Sequence, residues 1–214
     1  DKQVLDDGQL AKFLGMIEAY PDWRDFFYTE CMTGLRRGEI CGLKWSNIDF
    51  QTKTISISHK VVEANDGGKY RPKGFDKMKN KSSNRMLPLI PEVEIELLSH
   101  KAQQKRNALV LGSAYSHEYD DYVCTDQTGC LLRPNYVTTH FGMILRKNGL
   151  RHIRFHDLRH TCASLLLKHG IPMKAIQEWL GHSTFEVTAN TYAHLDYSSK
   201  QRSAQQIAAL LSSQ

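Results

Sequence analysis

The segment FHDLRHTCASLLLKHG, residues 155–170, begins with two histidines and an arginine and continues into an apolar run. Arg159 and His160 follow His156 at the third and fourth positions, so an α-helix would carry them on the same side as His156. Gly170 stands where a helix commonly ends. The segment therefore predicts a helix whose apolar part enters a core and whose first turn presents imidazole and guanidinium groups.

Three interpretations of this helix start remain open from the segment alone. His156 and His160 could bind a metal ion, with His152 one further turn upstream. The glutamate of the common zinc-binding helix motif is absent, however, and Arg159 would place a fixed cation beside the metal. The same residues could be partly buried polar groups with a structural role, or they could bind phosphate.

Length and composition are those of one folded domain, with 214 residues, 41% hydrophobic residues and a formal net charge of +5. We expect a single domain over residues 1–214, cut from a longer protein because the chain begins at Asp1 without Met. No apolar stretch is long enough to span a bilayer. The cysteines form no CxxC pair and are odd in number, which favours free thiols in the reducing cytoplasm. They are Cys31, Cys41, Cys124, Cys130 and Cys162.

Hydrophobic periodicity predicts an α+β fold that is mainly helical with a small antiparallel sheet. The predicted helices cover residues 10–20, 23–34, 36–42, 91–108, 135–147, 157–169, 172–180, 186–193 and 199–211. Alternating residues predict a hairpin of 48–50 and 55–57, with a third strand at 85–90. Residues 63–84 contain Gly-Gly, a proline and many charges, so we expect an exposed loop. Residues 122–132 are expected to form two small strands or an irregular excursion.

Positive charge is concentrated in one part of the chain. Between Lys69 and Arg85 there are seven lysines and arginines and one acid, Asp76. This segment would suit a polyanion, and a solvated loop is the alternative.

Two further segments place candidate functional groups at helix ends. In TGLRRGE, residues 33–39, Arg36 and Arg37 follow a glycine turn at a helix start, where backbone N–H groups and the helix dipole favour an anion. In WLGHS, residues 179–183, His182 follows the glycine that ends a helix. A surface ion pair between an arginine and Glu39 is the structural alternative for the first segment.

The combination favours phosphoryl transfer at a nucleic-acid phosphodiester. Two arginines from separate helices can hold the non-bridging oxygens, and histidines can move protons near neutral pH. Tyr192, ten residues after His182, can supply the attacking oxygen. A phenol with a pKa of about 10 needs neighbouring cations for this role. Because the two arginines hold the developing negative charge, no metal is required. Because one phosphate ester replaces another, no ATP is required.

Three segments resemble, in order, the motifs of the tyrosine recombinases or phage-type integrases. They are TGLRRGEICGLKWSNID, HDLRHTCASLLLKHG and IQEWLGHSTFEVTANTYAH. The resemblance covers nearly the whole chain and is strongest for integrases of conjugative transposons. It implies the mainly helical fold of the family's catalytic domain, without the core-binding and arm-binding domains that precede it in full-length relatives.

The resemblance also assigns residue roles. Arg36 and Arg159 become the phosphate clamp, Tyr192 the nucleophile, His156 the proton-transfer partner and His182 a hydrogen-bond donor.

The family's lysine corresponds to Lys79 in MKNKSSNRMLPL, with Lys81 as the alternative. Glu39 and His160 are expected to support the site. Basic residues expected to contact DNA are Arg37, Lys73, Lys77, Lys81 and Arg85.

The resemblance implies site-specific cleavage and rejoining of double-stranded DNA at element ends and a target site, without a cofactor or metal. It also implies a homotetramer on DNA with exchange of the C-terminal segment 199–214, and a possible accessory excision factor. A type IB topoisomerase-like enzyme and a non-catalytic DNA-binding module are the alternatives.

Overall fold

Helices make up most of the structure, a computed structural model that describes residues 3–76, 83–184 and 186. They are α1 (Asp7–Ile17), α2 (Pro21–Thr33), α3 (Arg37–Cys41), α4 (Pro91–Leu111), α5 (Pro134–Lys147), α6 (Phe155–Lys168) and α7 (Met173–Leu180). The strands in this part of the chain are β1 (Ile48–Asp49), β2 (Thr54–Ile57), β3 (Lys60–Asp66), β4 (Lys69–Phe75) and β5 (Arg85–Pro88). The prediction of a mainly α fold with small antiparallel sheets is confirmed.

Strands β1, β2 and β5 form the predicted three-stranded antiparallel sheet, in the order β1-β2-β5. Ile55 lies opposite Ile48 on one side and opposite Leu87 on the other, and all three are buried. Alternate residues of these strands face the core, which explains why the period of two was visible in the sequence.

The prediction of an exposed loop over residues 63–84 is wrong for its first part. β3 and β4 form an antiparallel hairpin that pairs Lys60 with Phe75 and Asp66 with Lys69. Gly67 and Gly68 form the turn with φ of 58° and 86°, values that suit the twist of a two-residue hairpin. The glycine pair marked a turn between two strands, whereas the charges around it masked the strand pattern.

Of two further expectations, one needs a small correction and the other is confirmed in its irregular form. α4 continues three residues beyond the predicted end at 108, to Leu111. Residues 122–132 are irregular and contribute isolated bridges, one of Tyr122 with Lys44 and one of Leu131 with Thr125. The helices predicted at 186–193 and 199–211 lie outside the described residues, apart from Glu186.

An aromatic cluster fixes the start of α6 in the core. Phe155, the first residue of α6, packs against Phe141 of α5 with ring centroids 5.7 Å apart. Phe141 in turn lies 5.4 Å from Phe27 of α2, and all three rings are buried. The first turn of α6 is therefore held rigidly beside the C-terminal half of α2.

The end of α7 is also attached to α2. The indole Nε1 of Trp179 donates to the carbonyl oxygen of Thr33 at 3.0 Å, at the last residue of α2. α7 then ends at Gly181, whose φ of 66° is readily adopted by glycine. As a result, the start of α3, the start of α6 and the end of α7 meet in one place. Among the described helices, none is both long enough and apolar enough to cross a membrane.

Candidate active site

Two arginines from different helices donate to consecutive carbonyl groups at the end of α7. The Nη2 atom of Arg36 lies 2.6 Å from the carbonyl oxygen of Gly181. The Nη2 atom of Arg159 lies 2.6 Å from the carbonyl oxygen of Leu180. The carbonyl oxygens at a helix C-terminus carry partial negative charge, so they offset the repulsion between two neighbouring cations.

Arg159 lies at the floor of this arrangement. It is 2% exposed, and its Nη1 atom donates to the carbonyl oxygen of Gly34 at 2.7 Å. Burial, with a further contribution from the Arg36 guanidinium, lowers the pKa of Arg159 to about 10. The side chain is still a cation at neutral pH, without a carboxylate bonded to it among the described residues.

Arg36 is more exposed than Arg159 and is held by a carboxylate in the first turn of α3. Glu39, in the first turn of α3, accepts from the Arg36 backbone N–H at 3.0 Å and from its Nη1 atom at 2.6 Å. Burial raises the pKa of Glu39, but the guanidinium groups of Arg85 and Arg36 outweigh it, and the net shift is downward. Glu39 is therefore an anion that orients two cations, as the sequence predicted for Arg36.

The histidines of the second and third motifs surround the arginines. The rings of His156 and His160 are 5.0 Å apart in an edge-on arrangement on the first turns of α6. His156 is exposed at its surface, but partial desolvation of its ring, and then the charge of Arg159, lowers its pKa. Burial together with Arg159 and Arg36 lowers the pKa of His182 to about 3. Both imidazoles are therefore neutral at pH 7 and can act as a proton acceptor or a neutral donor.

The residues predicted to contact DNA occupy different environments. Arg37 donates to the side chains of Asn135 and Thr138 at 3.1 and 2.9 Å. Lys73 is exposed on β4, with its ammonium group 5.8 Å from the ring of Phe75.

Arg85, predicted to contact DNA, is buried and bonded within the protein, with a side chain that is 7% exposed. Some predicted site residues lie outside the described part of the chain. They are Lys77, Lys79, Lys81 and Tyr192.

Sequence reasoning missed the backbone part of the site and one buried acid. The carbonyl groups of Gly34, Leu180 and Gly181 have no sequence signal beyond the two glycines. Glu30 is fully buried on α2, and its carboxyl oxygens have no hydrogen-bond partner among the described residues. Its position on the apolar face of α2, in register with Phe26 and Phe27, is the signal that could have identified it.

The fold that brings these arginines and histidines together is that of a tyrosine recombinase catalytic domain. The phage integrase family matches residues 3–199, and the chain belongs to this family. The resemblance inferred from the three motifs is thereby confirmed.

Two relatives show which members of the family the chain is similar to. The chain is 33% identical over 168 residues to a protein named tyrosine recombinase XerC-like from Caldanaerobacter subterraneus, covering 76% of this chain and 43% of that protein. It is 27% identical over 210 residues to the transposase of transposon Tn916 from Enterococcus faecalis, covering 92% of this chain and 49% of that protein. The chain thus spans about half the length of these relatives.

Among solved structures, the Tn1549 transposon integrase in complex with circular intermediate DNA matches with a TM-score of 0.80 and 25% identity. The match covers 97% of this chain and 67% of the integrase chain. The fold expected from the motifs is therefore that of a known integrase.

Proposed function

We propose that this chain is the catalytic domain of a site-specific DNA recombinase of the conjugative-transposon integrase type. The observation that carries the proposal is the pair of hydrogen bonds from Arg36 and Arg159 to the Gly181 and Leu180 carbonyls, directly before His182. Two cations and a neutral imidazole around one point can bind a phosphate and the charge that develops on it. The whole of residues 1–214 acts as this one domain in the proposal.

Double-stranded DNA is the proposed substrate, at the ends of a mobile element and at its target. The Tn1549 integrase structure contains circular intermediate DNA, which supports this choice for a chain of the same fold. One side of the β3–β4 hairpin adds a basic surface, because strand pairing places four cations and one acid, Asp66, on it. The four cations are Lys60, Lys69, Arg71 and Lys73. Such a surface suits the DNA backbone and supports the prediction made for Lys73.

In the proposed cleavage step, the phenolic oxygen of Tyr192 attacks the scissile phosphorus. His156 accepts the phenolic proton, which its lowered pKa permits at neutral pH. The bond from phosphorus to the 5′-oxygen of the next nucleotide breaks, and Lys79 gives that oxygen a proton. The products are a 3′-phosphotyrosyl linkage and a free 5′-hydroxyl. Lys81 is the alternative proton donor.

The remaining groups stabilise the phosphate as charge accumulates on it. Arg36 and Arg159 hold its non-bridging oxygens, and His182 donates a hydrogen bond as a neutral imidazole. A 5′-hydroxyl from a second DNA strand then reverses the step and releases Tyr192. Glu39 keeps Arg36 in place and His160 supports His156 from the next turn.

Recombination requires two DNA sites, and we propose a homotetramer that cuts and exchanges one pair of strands after the other. The C-terminal segment 199–214 is the proposed contact between neighbouring subunits, and an accessory excision factor is the proposed control of direction. We place the reaction in the cytoplasm. Free cysteines such as the buried Cys31 and Cys162 agree with a reducing compartment.

A nicked suicide duplex carrying the element end tests the function directly. The intact protein should become covalently attached to the DNA through Tyr192, in EDTA as well as without it. The Tyr192→Phe variant should bind the duplex and form no adduct. An adduct that survives this substitution, or the absence of any adduct from the unmodified protein, would reject the proposed chemistry. A recombinase exchanges DNA strands between two sites, whereas a topoisomerase relaxes supercoiled DNA at a single site. Measuring both activities separates the two classes of enzyme.

A further inference from the structure

Arg85, the first residue of β5, uses every nitrogen of its guanidinium group within the protein. Its Nε atom donates to the carbonyl oxygen of Trp179 at 2.7 Å. Its Nη2 atom donates to Oε2 of Glu39 at 3.0 Å, and its Nη1 atom donates to the carbonyl oxygen of Ser83 at 3.2 Å. The side chain is only 7% exposed, so these bonds are made away from bulk water.

The three partners belong to three different segments of the candidate site. Glu39 holds Arg36 through its other carboxylate oxygen, at 2.6 Å. Trp179 lies in the last turn of α7, just before the carbonyl groups that accept from the arginine pair. Ser83 follows residues 77–82 in the chain. One side chain therefore links the first motif, the third motif and the strand that follows the predicted lysines.

We propose that Arg85 is a positioning residue that holds Glu39 and the end of α7 in the geometry needed by Arg36 and His182. The proposal rests on the proposed function and removes Arg85 from the set of DNA contacts predicted from the sequence. Arginine suits this position because its planar group has donors in fixed directions, which a lysine ammonium group cannot reproduce. Three of the five donors of this guanidinium, one on each nitrogen, are used within the protein, and the side chain is mostly shielded from solvent.

The effect on Arg36 follows from the shared carboxylate. Oε1 of Glu39 accepts from the Arg36 guanidinium, and Oε2 accepts from both the Arg85 guanidinium and the Arg36 backbone N–H. The Arg85 charge also helps to keep Glu39 ionised. Without Arg85, Oε2 of Glu39 would keep only the Arg36 backbone N–H as a partner, so the carboxylate would be held less firmly. The end of α7 would also lose one attachment to β5. The guanidinium of Arg36 would then be misplaced at the phosphate, and a misplacement of about 1 Å in an active site can cost about 10²-fold in rate.

The test compares Arg85→Gln and Arg85→Lys in the intact protein, with Lys73→Gln as a reference for a lost phosphate contact and Arg106→Gln as a charge-matched control. Arg106 bonds to Gln103 on the exposed surface of α4. For each variant we would measure single-turnover cleavage of the suicide duplex at saturating protein, DNA affinity across salt concentrations, and the melting temperature. Glu39→Gln and the Arg85→Gln/Glu39→Gln double variant complete a double-mutant cycle.

Both Arg85 variants should cleave about 10- to 10²-fold more slowly while the affinity and its salt dependence stay unchanged. Arg85→Lys should fail to rescue cleavage although it keeps the charge. The double variant should lose little more than the worse single variant, because both act through one carboxylate. Lys73→Gln should instead weaken binding and reduce the salt slope by about one. Arg106→Gln should behave like the unmodified protein.

The proposal would be overturned by an Arg85→Gln variant that loses affinity with a slope reduced by about one, the signature of a DNA contact. It would also be overturned if cleavage loss matched the fraction unfolded at the assay temperature, or if Arg85→Lys restored full cleavage. If the unmodified protein forms no adduct at all, the proposed function fails. The salt slope of Arg85→Gln would still decide whether Arg85 contacts DNA.

Discussion

Arg36 and Arg159 donate to adjacent peptide carbonyls, yet one of them is far more deeply buried than the other. Arg159 is 2% exposed, whereas the side chain of Arg36 is 34% exposed. Arg159 spans the end of α2 and the end of α7 through Gly34 and Leu180. One arginine therefore belongs to the protein interior as well as to the site, and the other lies at its surface.

This difference predicts separable effects of Arg36→Lys and Arg159→Lys. In the proposed function, each should reduce single-turnover cleavage by about 10²- to 10³-fold, because each would remove donors to the developing charge on the phosphate. Arg159→Lys should also lower the free energy of unfolding by about 1 to 3 kcal/mol, since a buried carbonyl loses its partner. Arg36→Lys should change it little. Urea unfolding and cleavage assays on the same samples check both predictions. Equal stability losses in the two variants would contradict the claim that Arg159, and not Arg36, also supports the fold.

Glu30 predicts a substitution that stabilises the protein. Its carboxyl is fully buried and has no hydrogen-bond partner among the described residues, and burial raises its pKa well above 4.5. Folding above pH 4.5 therefore requires uptake of a proton that the unfolded chain has released, and stability falls as pH rises. Glu30→Met should raise the free energy of unfolding by about 1 to 3 kcal/mol at pH 7, with a smaller gain at pH 4.

The control for this prediction is Glu92→Met, a matched change at an exposed position of α4. Its effect on the free energy of unfolding should not grow with pH. A Glu30→Met protein that is less stable at pH 7 would mean that the carboxyl is ionised and pairs with a cation such as Arg159.

Gly34 lies beside the arginine pair in a conformation that only glycine adopts readily. Its φ is +60°, and an added Cβ would lie 2.9 Å from Cδ2 of Leu180 and 3.2 Å from Sγ of Cys162. Gly34→Ala should therefore destabilise the fold by about 1 to 3 kcal/mol and slow cleavage, because Gly34 and Leu180 supply both carbonyl groups that hold Arg159.

Gly15→Ala on the exposed side of α1 is the matched control, since nothing lies within 4 Å of its added Cβ. It should leave cleavage unchanged and stabilise the helix by about 0.5 to 1 kcal/mol. Thermal unfolding and suicide-duplex cleavage measure both variants. Normal cleavage by a folded Gly34→Ala protein would show that the position of Leu180 does not control Arg159.

Local sequence patterns were sufficient to predict the helices and to recognise the three motifs. Capping residues such as Asp6 and Gln9 of α1, and the glycine at the end of α7, act on their own helices and can be read without the fold. The β3–β4 hairpin was missed because its exposed face is charged and only Val61 enters the core deeply. Its strands are defined by pairing with each other rather than by burial.

The charged residues of the site could be predicted from the sequence, but the hydrogen bonds between residues distant in the chain could not. Arg36 and Glu39 share one helix turn, so their bond follows from spacing alone. The bonds of Arg85 to Trp179 and of Arg159 to Gly34 join residues distant in the chain and depend on how α2, α6 and α7 pack. For the same reason Arg85 could be counted as a basic residue, but its burial could not be inferred.

His182 predicts a loss of stability in acid with a defined sign. Burial and the two arginines lower its pKa from 6.5 to about 3, so between these values the unfolded chain binds a proton that the folded protein does not. The free energy of unfolding should therefore fall as pH decreases from 6.5 towards 3, and His182→Asn should flatten that part of the curve. His152→Asn, at an exposed position, is the control and should keep the slope of the unmodified protein. Urea unfolding at several pH values provides the measurement, and an unchanged slope for His182→Asn would mean that the arginine pair does not suppress protonation of this imidazole.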